Sequence, residues 1–85
     1  MPYIEQKDRE KFQAALDAMP DIASAGELNY IVTQLARKYL ATHGLRYQYL
    51  NDISGALTNA NLELYRRVAA GYEDIKVAEN GDVYQ

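Results

Sequence analysis

The sequence has no cysteine, no tryptophan, one histidine, one phenylalanine and two prolines among its 85 residues. Each scarcity removes a class of explanation. Without cysteine there is neither a disulfide framework nor a thiolate nucleophile, and nothing points to an oxidising compartment. A single histidine, His43, leaves no His/Cys pair and no His-Glu helix motif for a metal, so no metal site and no cofactor are expected. The opening Met-Pro-Tyr-Ile-Glu-Gln-Lys carries no basic-then-apolar leader, and no apolar run approaches the roughly 18 residues that cross a bilayer. A cytoplasmic protein with no membrane span is therefore expected.

Charge of one sign is scarce over most of the chain as well. Residues 1–72 hold eight acids and eight bases, whereas the last thirteen set Glu73, Asp74, Glu79 and Asp82 against Lys76 alone. General nucleic-acid binding, which needs a basic face, is disfavoured, but a small anion held by a few arginines is compatible with this balance. Hydrophobic residues make up 48% of the chain, which argues against disorder. A single domain over residues 1–85 is expected. A chain this short has a thin core, and without disulfide or metal the remaining aid to stability is self-association.

Apolar spacing organises what is present. Phe12, Ala15, Leu16 and Met19 predict a first helix from about Gln6 to Met19, stopped by Pro20, with Glu5 as its cap. Ser24 and Glu27 fit a capping box for a second helix, which Gly44 ends; Leu28, Ile31, Val32, Leu35 and Tyr39 form its apolar stripe. Leu50, Ile53, Leu57, Ala60, Leu64 and Val68 predict a long third helix, from about Tyr47 to Gly71. Beyond Tyr72, the run to Tyr84 with Asn80-Gly81 at its centre predicts a short C-terminal β-hairpin around a type I′ turn. The expected fold is mainly α: a three-helix domain with a long third helix and that hairpin.

A second face of the third helix carries Tyr47, Gly55, Thr58, Leu62, Tyr65 and Ala69. Either the first two helices and the hairpin cover both faces, or a further copy of the chain covers one. Self-association is favoured because a helix of about 25 residues spans roughly 37 Å, more than the first helix can shield.

No acid, base and nucleophile can be drawn together, so no catalytic residue is assigned and an enzyme is not expected. His43 reads as a helix-end residue suited to the dipole, Glu73 and Asp74 diverge from a helix end, and Asn80-Gly81-Asp82 lacks the glycine spacing of a phosphate loop. Binding is better supported. Tyr30, Gln34 and Arg37 fall on the second helix away from its apolar stripe. Glu63 can pair with Arg67 at four residues' spacing, leaving Arg66 freer. Eight tyrosines suit half-wet interfaces and nucleotide pockets. The candidate ligand-binding residues are Asn29, Tyr30, Arg37, Tyr65, Arg66 and Lys76.

The strings Gly-Glu-Leu-Asn-Tyr (26–30), Glu-Leu-Tyr-Arg-Arg-Val (63–68), Tyr-Glu-Asp-Ile-Lys (72–76) and Glu-Asn-Gly-Asp-Val-Tyr (79–84) resemble a family of small uncharacterised proteins encoded by bacteriophages and bacterial genomes. That resemblance implies a protein that acts in a host cytoplasm by occupying a host molecule. Two partners are then expected besides further copies of the chain: a nucleotide-like second messenger, sequestered in pockets between subunits, or a host protein that the chain inhibits or adapts.

Overall fold

The computed structural model describes residues 4–84, so the first three residues of the opening segment lie outside it. The described backbone holds helices and no strand. Helix α1 covers Gln6–Ala18, α2 Ala25–His43, α3 Tyr47–Leu64 and α4 Ala70–Asn80, with a π-helical segment at Tyr65–Ala69 joining α3 to α4. The last three run on without a break, so the third helix occupies residues 47–80. The chain divides after Arg37, within α2, into two units.

In the first unit the helix ends follow local chemistry. Glu5 is extended and its carbonyl accepts the Asp8 N–H at 2.9 Å, but its side chain makes no cap. Asp8 sits in the first turn, where the helix dipole favours a negative charge. Ser24 caps α2 as its position predicts, its Oγ accepting the Glu27 N–H at 3.1 Å. The reciprocal bond of the box lands one residue early: Glu27 Oε1 accepts from the Ala23 N–H at 2.8 Å.

In the second unit α2 ends where Gly44 adopts φ 99° and donates to the Leu40 carbonyl. A side chain is strained at such an angle, so the glycine is what lets the chain leave the helix here. Arg46 is extended at the start of α3, and its carbonyl accepts the N–H groups of Tyr49 and Leu50, each at 3.1 Å. At the π segment the Ala70 N–H bonds to the Tyr65 carbonyl, five residues back instead of four.

The C-terminal β-hairpin is not formed, and the reason lies in what Asn80-Gly81 does. A type I′ turn needs positive φ at both central residues. Only Gly81 has it, at 87°, and no other residue than a glycine does among those described. Gly81 instead closes α4, donating to the Val77 carbonyl at 2.8 Å. Gly71 does not stop the third helix either, because Val68, Tyr72 and Ile75 carry helical spacing through it, and Lys76 pairs with Glu79 three residues on.

No described residue of either unit is buried. The stripes that predict a core are present as faces but covered by nothing in the chain. No helix among the described residues is long and apolar enough to cross a membrane.

Replacing Gly44 by alanine is expected to cost about 1 kcal/mol through strain at positive φ, lowering a thermal midpoint by about 4–8 °C. Circular dichroism melting measures this; an unchanged midpoint would show that the corner does not depend on that backbone angle.

Candidate functional site

The polar-aromatic residues of α2 lie beside a surface hollow of about 520 Å³ in the first unit. Met19, Pro20 and Ile22 of the connector and Gly26, Tyr30 and Ile31 of α2 line it, together with the carboxylate-bearing Asp21 and Glu27. The volume lies within the range that small-molecule sites occupy. Tyr30 is 62% exposed, so its ring is available to stack on a ligand. Asn29 and Arg37 are exposed on the same helix. Arg37 stands seven residues beyond Tyr30, two turns and about 10 Å along the same face. Asp21 and Glu27 repel an anion from the hollow itself, which therefore suits an apolar or aromatic group, with negative charge directed towards Arg37.

The other three candidates belong to the second unit, and they do not cluster there. Tyr65 and Arg66 stand on the π segment. Lys76 lies on α4, about 15 Å further along the helix by its rise, with Nζ 3.2 Å from Glu79 and 5.4 Å from the centre of the Tyr72 ring. Arg66 is not the freer arginine that the sequence spacing indicates. Both guanidiniums reach the same oxygen, Glu63 Oε2, at 3.4 Å from Arg66 Nη2 and 3.4 Å from Arg67 Nε. Partial desolvation raises the Glu63 pKa, but hydrogen bonding and attraction, with Arg66 foremost, lower it by more, so the carboxyl stands below its ordinary value. Two cations on one carboxylate leave a net positive charge on this stretch of helix.

One cluster was not foreseen from the sequence. At the α2–α3 corner the His43 ring lies between two tyrosines, 4.3 Å from Tyr39 and stacked at 4.9 Å on Tyr49. The Tyr39 hydroxyl donates to Asp52 Oδ2 at 2.8 Å. This bond, then desolvation, then the Asp52 charge raise the Tyr39 pKa above its ordinary value, since tyrosinate would face a carboxylate and lose the bond. The signal was legible in part: Tyr39 and His43 are four apart on one helix, and Gly44 folds Tyr49 back towards them. The cluster fastens the corner and uses the only histidine in ring packing.

No group of three or more His, Asp or Glu residues among those described could hold a metal ion. A family model described as a domain of unknown function, DUF6899, matches residues 1–83. The chain belongs to this family. The match takes in both units, all four helices and every candidate residue named above. No curated protein and no solved structure matched the chain.

Tyr39 is expected to ionise after the other tyrosines. The sign follows from the raised pKa: stability tied to its neutral hydroxyl is present below about pH 10 and is lost as pH rises through the higher folded-state value. Alkaline titration of tyrosinate absorbance checks this, with Asp52→Asn shifting the late component down. Superimposable curves for the two proteins would dissolve the assignment.

Proposed function

We propose that this chain is a non-enzymatic binding protein that works as a homo-oligomer and sequesters a small anionic ligand carrying an aromatic base, with nucleotide second messengers as the class. The observation that carries this reading is the pairing of an apolar hollow walled by Tyr30 with the Arg37 guanidinium on the same helical face. A base stacks on a tyrosine ring whatever its identity, and phosphate pairs with a guanidinium in two parallel hydrogen bonds. Asn29 is the polar contact beside them.

Further support comes from what surrounds this surface. His43 is held between rings, and no acid, base and nucleophile converge among the described residues, which favours binding over catalysis. Tyr65, Arg66 and Lys76 complete the ligand's surroundings from a second copy, which sequestration between subunits requires. The resemblance of the 26–30 and 63–68 strings to phage-encoded proteins supports a counter-defence role in a host cytoplasm, where occupying a signal is enough to silence it.

Calorimetric titration with a panel of cyclic mono- and oligonucleotides is the test. At least one should bind, with affinity reduced about tenfold or more by Tyr30→Ala and by Arg37→Ala, as expected for lost stacking and a lost charge-assisted pair. Glu63→Gln, which releases Arg66, should strengthen binding. Absence of heat with every nucleotide would remove the ligand and leave the protein-binding inhibitor, which needs no hollow.

A further inference from the structure

Two independent observations meet on residues 47–80. The first is area. The chain exposes 7763 Å², whereas a folded monomer of 9.6 kDa exposes about 5,100 Å². The excess, about 2,700 Å² per chain, is the scale that an obligate homodimer buries on each partner. A chain whose described residues include no buried one cannot offset its ordering entropy alone, so what covers it must be present whenever it is folded. A second copy meets that condition at every expression level.

The second observation is register. Leu50, Ile53, Leu57, Ala60 and Leu64 alternate by three and four, the repeat of a seam shared by two supercoiled helices. Strict continuation would next present Arg67, Gly71 and Asp74. The apolar residues Val68, Tyr72 and Ile75 each stand one position later. The sequence therefore holds one residue too many between Leu64 and Val68, and that is where the π segment, Tyr65–Ala69, lies. A turn closed five residues back holds one residue more than an α turn. It absorbs the extra residue and returns Val68, Tyr72 and Ile75 to the line set by Leu50 to Leu64. A helix facing only water has no use for that correction.

We infer that this line, from Leu50 to Ile75, is the surface through which two copies of the chain associate, with the π segment keeping it continuous. Leu64, Val68, Tyr72 and Ile75 are each more than half exposed. None of the eight seam positions is charged, so the same patch meets itself without like-charge repulsion. This assignment rests on the homo-oligomer in the reading above and gives that oligomer its interface.

Sedimentation velocity of the full chain, without ligand, tests it. The wild type is expected to be associated at tens of micromolar. Leu57→Asp should weaken association by about a hundredfold or more, whereas Leu62→Asp, on the other face, should leave it intact. Because Leu57→Asp can also unfold a helix that association stabilises, deletion of Arg67 supplies a separate readout. Removing one residue restores strict alternation and lets the π turn become α, so association should persist. Loss of association on that deletion would overturn the register argument. Dissociation by Leu62→Asp but not by Leu57→Asp would overturn the seam while sparing the oligomer, and a monomeric wild type would remove both.

Discussion

Uncovered apolar surface is the constraint from which the rest of this structure follows. Burying apolar area is worth about 25 cal/mol per Å², and no other term stabilises a chain of this length as strongly. The bonds that are present are local. Exposed ion pairs such as Lys76–Glu79 contribute about 0–1 kcal/mol each. Caps such as Ser24 contribute about 1 kcal/mol, and the ring cluster at the α2–α3 corner fixes a turn rather than a core. Isolated helices below about 12–15 residues are marginal in water, which is the length of α1. Helix formation and association are therefore coupled in this chain, and the surface that joins copies is part of the folding unit.

Much of this was legible in the sequence, because local rules govern helices. Phe12 to Met19, the Ser24 cap and Gly44 give the first two helices within a residue or so of their observed ends. The hairpin failed because Asn80-Gly81 serves two structures: glycine at positive φ closes an I′ turn and equally ends a helix. Periodicity decides between them, and Val68, Tyr72 and Ile75 already point to the helix. What spacing could not reveal is burial. An apolar stripe looks the same whether a neighbouring helix of the chain or another molecule covers it, so the stripes were read correctly as faces and incorrectly as parts of an internal core.

The candidate site shows the same division. Tyr30 and Arg37 were legible because seven residues on a helix is a fixed displacement, and the hollow beside them depends on how Met19, Pro20 and Ile22 lead into α2. Arg66 was misread because spacing of four was credited over spacing of three, whereas a carboxylate oxygen can accept from both arginines. The His43 cluster was missed because ring packing across a glycine corner depends on the angle that the corner takes, and no periodicity encodes that.

The shared carboxylate has a bearing on selectivity. Glu63 already occupies the Arg66 and Arg67 guanidiniums, so an anion arriving there is a competitor and not simply an additional partner. A singly charged metabolite exchanges one carboxylate-like contact for another and gains little. A phosphodiester with two charges at a suitable separation can displace Glu63 and still have charge left for a second cation. The intramolecular pair thus sets a threshold in charge and in spacing, which common cellular anions such as chloride or acetate do not reach.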